Sequence, residues 1–391
     1  MTELRCDWNG VFPAAVTPFT PEGKVDEGSL RLLIDLFISE GVQGLVAVGS
    51  TGEWFSLNDE ERLRVFRIFH EQVAGRVPVV GGTSAIGTRE TVALTEAAKD
   101  IGLDGCMVLP PPYAMPNRSE VVLHLHEVAD VGLPVMLYNN PPRTGINIDS
   151  ALLADLVDHP NIVAFKDSTK DLYQMSESIY AVRDRLACFA GLEPYGGSCF
   201  SRGAVGIVST ISNICAPDVV AYCEHLMAGR FEKAAHHQEV IDRLYHLLTK
   251  SGAANYVFVK EAMALLGRPG GSPRKPYRSV DEATRERIRV GLKCIELTGQ
   301  DQEGEQAHLW SVYGLRFAVP ADGAYFVDVY DARFSEQRAN FYRLKIGPVS
   351  FADAIFPLGW ARGESVSVEL SGGSLTEASP RSWRSPAIIL A

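Results

Sequence analysis

The sequence predicts an α/β fold: a closed (β/α)8 TIM barrel with a C-terminal helical extension, followed by a small all-β sandwich-like domain. Three observations carry that expectation. From residue 10 to about 228, short apolar runs alternate with amphipathic, helix-like stretches, which is how a parallel sheet crossed by helices reads in sequence. Eight such runs fall within about 220 residues, close to the ~250 residues that a (β/α)8 barrel takes. After Gln306 the pattern changes to β-like runs separated by Gly, Pro, Asp and Asn.

The eight runs are GVFPAAVTPF from Gly10, GLVAVG from Gly44, PVVGGT from Pro78, GCMVLP from Gly105, PVMLYN from Pro134, IVAFKD from Ile162, CFAG from Cys188 and GIVST from Gly206. Consecutive apolar residues, as in IVAF, mark strands buried on both faces. Between the runs lie stretches such as DEGSLRLLIDLFISEG and NDEERLRVFRIFHEQVAG. In the second, Asn58 with Glu61 three residues later reads as a helix start, and Leu63, Phe66 and Phe69 supply an apolar face. A doubly wound open sheet is the competing architecture, and the lack of GxGxxG after the first strand weighs only a little against it.

From Phe231 to about Leu297 the pattern is helical, with a Pro/Gly-rich loop, GRPGGSPRKPY, before its last helix. The expected organisation is therefore a barrel over 1–228, its helical extension over 229–297, a polar linker over 298–306 and an all-β accessory domain over 307–391.

Composition excludes several classes. The formal charge is -11 without a basic cluster, which argues against nucleic acid as a partner. The 7 cysteines are odd in number and form no CxxC pair, so free thiols in a reducing cytoplasm are expected. The start, MTELRCDWNG, has neither a basic nor an apolar segment of the secretory kind, and no run is long enough to span a bilayer. No HExxH, zinc spacing or GxxxxGK[ST] loop occurs, so neither metal nor nucleotide is expected. His124 and His126, two apart on a helical stretch, make a poor metal pair, as do the adjacent His236 and His237.

In a barrel of this kind the chemistry sits at the C-terminal ends of the strands. The residues standing there are Ser50 and Thr51 in GSTGE, Tyr113 in PPPYAMP, Tyr138 and Arg143 in LYNNPPRTG, Lys166, and Glu193 in GLEP. A lysine in a mostly apolar barrel mouth has its charged form disfavoured, and a neutral amine attacks a ketone to form a Schiff base. The resulting iminium is an electron sink for making or breaking a carbon–carbon bond. Tyr138, from the neighbouring strand, suits the proton shuttle. Backbone N–H groups and the hydroxyls of Ser50 and Thr51 suit a substrate carboxylate. Each residue also has a plainer reading. Lys166 fits an ion-paired strand end, with Asp167 or a helix carboxylate as partner. Tyr138 fits a core tyrosine, GSTGE a turn, Arg143 a surface salt bridge, and Glu193 a helix start. Taken singly, each residue favours the plain role; together, on matching strand ends, they favour a site.

The motifs GVFPAAVTPF, GSTGE, YNNPPRTG, AFKDST and GIVST, in that order, make residues from about Trp8 to Leu297 resemble the dihydrodipicolinate synthase / N-acetylneuraminate lyase family of class I aldolases. The resemblance implies a barrel with a helical extension, assembled as a homotetramer or dimer. It implies a covalent imine between Lys166 and pyruvate or a related 2-oxo acid, without a further cofactor. Ser50 and Thr51 would bind the keto-acid carboxylate and Thr51 would join the proton relay. Tyr138 would shuttle the proton, Tyr113 would reach the neighbouring subunit's site, and the Val208 carbonyl would line the pocket. Arg143 stands where synthases bind the carboxylate of the aldehyde substrate. Ser168 and Glu193 stand where lyases contact sugar hydroxyls. The favoured reaction is the condensation of the 4-hydroxy-tetrahydrodipicolinate synthase type. N-acetylneuraminate lyase-like and 2-keto-3-deoxy sugar acid aldolase or dehydratase activities are the alternatives. A non-catalytic binding or scaffold protein is the alternative of another class. The tail, VPADGAYFVDVYDARFSEQRANFYRLKIG followed by FPLGWARGESVSVEL, resembles bacterial pre-peptidase C-terminal-type β-sandwich modules.

Overall fold

The computed structural model describes residues 4–295 and 297, together with five short strands between 309 and 383. Eight parallel strands form one sheet: β1 (Gly10–Pro13), β2 (Leu45–Ala47), β3 (Val79–Gly82), β4 (Gly105–Val108), β5 (Val135–Asn139), β6 (Ile162–Asp167), β7 (Ala187–Ala190) and β8 (Gly206–Ser209). Each strand lies within one of the eight apolar runs or begins one residue before it. Neighbours in sequence pair from β2 to β8, and β8 pairs back to β1 with Phe12 opposite Val208. Ala14 bridges Val46 in parallel, and Ala15 N–H donates to Val46 O at 3.1 Å. That contact joins β1 to β2 and closes the barrel, which settles the architecture against an open sheet.

The helices are α1 (Glu27–Ser39), α2 (Asp59–Val73), α3 (Thr88–Ile101), α4 (Arg118–Asp130), α5 (Pro141–Thr144), α6 (Ser150–Leu156), α7 (Leu172–Val182), α8 (Gly196–Phe200), α9 (Ser212–Met227), α10 (Phe231–Lys250), α11 (Asn255–Leu265) and α12 (Glu282–Lys293). Helix α2 starts in the capping box expected of Asn58 and Glu61, each side chain satisfying a backbone N–H of the first turn. Its buried stripe is Val65, Phe66, Ile68, Phe69 and Val73, with Leu63 half-buried at the edge. Helix α9 is kinked at Cys215, whose φ of -141° is not helical. Pro217, two residues on, has no N–H to continue the ladder.

The strands alternate strictly toward their C-terminal ends. Met136 and Tyr138, Ala164 and Lys166, and Ala187 and Phe189 face the barrel axis. Leu137, Phe165 and Cys188, between them, pack outward under the helices. Two dry layers result, because successive side chains of a strand point to opposite faces. The interior is filled by Phe12, Val46, Met107, Met136, Phe189 and Val208, with Phe12 and Phe189 edge to face at 5.2 Å. Trp8 covers the end where the strands begin. A Cβ on Gly105 would stand 2.3 Å from its indole, so that position admits no side chain.

The chain divides into two compact units, Met1–Ala318 and Val319–Ala391. In the first, Leu309–Trp310 pairs antiparallel with Gly314–Leu315. In the second, Ala354–Phe356, Val366–Ser371 and Arg381–Trp383 form an antiparallel three-stranded sheet. The linker over 298–306 and the rest of the accessory domain, with its resemblance to pre-peptidase modules, lie outside the described residues.

The interior packing sets a stability test. Phe189→Ala removes a ring from the barrel axis and is expected to destabilise the first unit by about 3–5 kcal/mol, read as a fall in the urea midpoint. A loss under about 1 kcal/mol would show that the interior does not depend on this contact.

Candidate active site

The side chains that converge on the C-terminal rim begin with Lys166. It is 5% exposed, and its Nζ lies 3.9 Å from the centroid of the Tyr138 ring. Register explains the contact: Tyr138 and Lys166 are paired across β5 and β6 and both face the axis. Among the described residues Lys166 makes no ion pair. Asp167 points to the opposite face of β6, where its Oδ1 accepts from Thr169 N–H at 2.9 Å and from Asn139 Nδ2 at 3.3 Å. The ion-paired strand end is therefore not the arrangement found.

The Tyr138 hydroxyl accepts from Asn140 Nδ2 at 2.7 Å. Burial pushes the Tyr138 phenol up. The Lys166 charge, with the polar side chains of Ser168 and Asn140, pulls harder the other way, and the net value falls below that of an ordinary tyrosine. Ser168 is buried, and its hydroxyl faces the Tyr138 phenol.

The loop after β2 carries Ser50, half-buried, and Thr51, buried. Two left-handed residues frame it, Val48 at φ 57° and Glu53 at φ 55°. For a β-branched residue this conformation is an outlier that costs about 1–3 kcal/mol and needs the surroundings to hold it. A Cβ on Gly82 would come within 2.2 Å of Val48 O, so β3 can approach the strained turn only through a glycine. Thr17 Oγ1 donates to Gly52 O at 2.7 Å. Glu53 is fully buried, and its Oε1 lies 2.5 Å from Lys260 Nζ on α11. Lys260 is 1% exposed and also donates to Thr17 O at 2.7 Å and Ser272 O at 2.9 Å. Burial lowers the Lys260 ammonium to about 8, against the opposing pull of Glu53.

Thr51 Oγ1 stands 3.1 Å from Thr210 Oγ1. Thr210 follows β8, where Val208 faces the interior. Glu193 is 1% exposed, and its Oε1 accepts from Ser209 Oγ at 2.8 Å, Thr210 N–H at 2.6 Å and Ile211 N–H at 2.8 Å. This carboxylate holds the turn after β8, so its link to the rim runs through Thr210.

Two further expected residues stand apart from this core. Tyr113 is 89% exposed with φ 70°, directed away from its own chain's packing. Arg143 is exposed, and its guanidinium lies over the ring of Tyr256 on α11 at 5.2 Å. Beside Tyr138, a small cavity of about 10 Å³ is lined by Val48, Gly49, Ser50, Trp54 and Gly82 among others. A larger groove of about 500 Å³ lies on the outer surface against α2 and α3, lined by Arg67, His70, Glu71 and Asp100. The strand-end geometry, not groove size, makes the barrel mouth the candidate site.

Sequence reading missed Asn140, Thr210, Tyr256 and the Glu53–Lys260 pair. Asn140 and Thr210 lay within quoted motifs, one residue from strand ends, and spacing to the strand end would have found them. Tyr256 and Lys260 sit on a helix more than a hundred residues from the strands they reach, and carried no such signal. No group of three or more His, Cys, Asp or Glu suited to a metal occurs among the described residues.

The profile of the Dihydrodipicolinate synthetase family matches residues 7–295. A protein of Rhizobium meliloti described as an uncharacterized DapA-like lyase is 52% identical over 294 residues, covering 75% of this chain and 98% of its own. The 4-hydroxy-tetrahydrodipicolinate synthase of Methanoculleus marisnigri is 36% identical over 289 residues, covering 73% and 98%. The crystal structure of the chloride-inhibited dihydrodipicolinate synthase of Acinetobacter baumannii complexed with pyruvate superimposes with a TM-score of 0.70 at 32% identity. It covers 73% of this chain and 98% of that one.

Asp167 gives the site region a pH dependence. Burial raises its carboxyl from 3.8 to about 6, outweighing the hydrogen bonds from Thr169 and Asn139. The native state then binds more protons than the unfolded state between pH 4 and 6, so stability is lost as pH rises through that window. Asp167→Asn is expected to flatten the profile there, a difference of up to about 3 kcal/mol at neutral pH, measured by urea unfolding at pH 4, 5, 6 and 7. Parallel profiles for the two proteins would refute the assignment.

Proposed function

The chain belongs to the dihydrodipicolinate synthetase family, a family of lyases, and from that premise we propose that it is a class I, Schiff-base-forming lyase acting on pyruvate or a related 2-oxo acid. One observation carries the reading: a buried lysine without a carboxylate partner faces a tyrosine of lowered pKa at the mouth of a closed barrel. A buried ammonium with no counter-charge is a costly arrangement, and its use as an amine nucleophile accounts for it.

In this reading the Lys166 amine attacks the keto carbon, and loss of water from the carbinolamine gives the iminium. The Tyr138 oxygen, held by Asn140, carries protons to and from the reacting atoms. Loss of a C3 proton yields the enamine, whose carbon adds to an aldehyde. Hydrolysis then frees the product and restores Lys166. Ser50 and Thr51 hold the keto-acid carboxylate, Thr210 supports Thr51, Ser168 offers its buried hydroxyl beside Tyr138 and the Val208 carbonyl lines the wall. No cofactor beyond the imine is invoked.

Arg143, free of any ion pair among the described residues, favours a second substrate that carries a carboxylate. That supports a condensation of the 4-hydroxy-tetrahydrodipicolinate synthase type over cleavage of a polyhydroxylated sugar acid. The exposed Tyr113, at positive φ, fits a homodimer or homotetramer in which it completes a neighbour's site. The free state of all seven cysteines suits a cytoplasmic setting.

Incubation with pyruvate and borohydride should add the mass of a reduced pyruvate imine, mapped by peptide masses to Lys166. Lys166→Ala should keep the fold and give no adduct. Tyr138→Phe should lower turnover by about 10²–10⁴-fold while adduct formation persists more slowly. An adduct on another lysine, or none in the folded wild type, would overturn the proposal.

A further inference from the structure

Helix α11 belongs to the extension outside the barrel, yet two of its side chains reach the two places where the proposed site meets an anion. Tyr256 and Lys260 are four residues apart and so share one face of the helix. The Tyr256 ring supports the Arg143 guanidinium at 5.2 Å. Phe55 and Tyr277 hold that ring from its sides, with centroids at 5.9 Å and 6.0 Å. An exposed arginine without a carboxylate partner has many rotamers open to it, and a fixed aromatic face beneath it selects among them. One turn on, Lys260 binds Glu53 at 2.5 Å, and Glu53 ends the strained loop that carries Ser50 and Thr51. Lys260 also ties down Thr17 O, and Thr17 Oγ1 in turn holds Gly52 O of the same loop.

We propose that α11 is the specificity element of this site. Tyr256 is a positioning residue that aims Arg143 at a second carboxylate. Lys260, through Glu53, is a positioning residue for the seat of the 2-oxo acid carboxylate. The site is thereby built for ligands with two carboxylates, one at each receptor. This rests on the reading of the barrel mouth as a 2-oxo acid lyase site. The Tyr256 hydroxyl also meets Ser50 of that seat, so its ring serves one receptor and its hydroxyl the other, and the two roles separate by mutation.

The test uses the full-length protein and two probes, pyruvate with one carboxylate and 2-oxoglutarate with two, titrated by calorimetry so that binding is read without turnover. Tyr256→Phe keeps the ring under Arg143 and loses only the hydroxyl at Ser50, and is expected to weaken both probes alike, by about threefold. Tyr256→Leu removes ring and hydroxyl together and is expected to weaken 2-oxoglutarate about tenfold more than Tyr256→Phe does, and pyruvate no more than Tyr256→Phe does. Lys260→Met is expected to weaken both probes alike, about tenfold. Because that variant leaves Glu53 charged and buried, the double variant Glu53→Gln/Lys260→Met, which removes both charges, is measured beside it. Equal losses of both probes in Tyr256→Leu, no loss in it, or a Tyr256→Phe variant as impaired toward 2-oxoglutarate as Tyr256→Leu would overturn the proposal. So would failure of the wild type to bind 2-oxoglutarate. The underlying reading fails separately: no borohydride adduct on Lys166 with the binding split intact removes the lyase and keeps the specificity element. An adduct without the split does the reverse.

Discussion

In a closed parallel barrel, a side chain near the end of a strand faces either the axis or the helices, and neighbouring strands settle the choice together. Tyr138 and Lys166 are register partners across β5 and β6, so one cannot turn inward without the other. A slip of one residue would put Asn139 and Asp167 at the axis and send the amine and phenol under the helices. The irregularity in the register between Val135 and Met136 lies before this pair, and the pairing from Met136 onward is regular. The contact of the lysine with the tyrosine ring, the lowered tyrosine pKa and the outward Asp167 all follow from that register.

The rim around the pair is held by charges that do not touch it. Glu193 spends one oxygen on the turn after β8, and Glu53 meets Lys260 behind the turn after β2. Both carboxylates are buried, and a buried charge tolerates little movement, because displacement leaves it unpaired in a poor solvent. Such groups suit the support of a loop in a strained conformation. Val48 at positive φ is stable only where the surroundings over-determine it, and here Gly82, Thr17 and the Glu53–Lys260 pair do so. The helical extension thus has a part in the site as well as in the core.

The eight strands were legible because each is an apolar run bounded by glycine, proline or a charged helix start. The capping box at Asn58 and Glu61 was legible because its two side chains are local partners. Lys166, Tyr138, Ser50 and Thr51 were legible because a barrel gives strand ends a fixed meaning. Glu193 was expected on the rim, but its carboxylate holds the groups at 209–211, which come from the next strand, and sequence proximity to β7 says nothing of them. The stack of Arg143 on Tyr256 joins residues more than a hundred positions apart and leaves no trace in periodicity.

Sequence by itself determined the barrel and the chemical inventory of its strand ends, since hydrophobic period and strand-end position are local properties of the chain. Only the tertiary structure decided which inventory members meet. Pairing of Phe12 with Val208 brings the first strand to the last, the bridge between Ala14 and Val46 brings it to the second, and packing of α11 brings Tyr256 and Lys260 to loops made elsewhere. Contacts of that kind depend on how curved elements close and pack in three dimensions, which no single segment specifies.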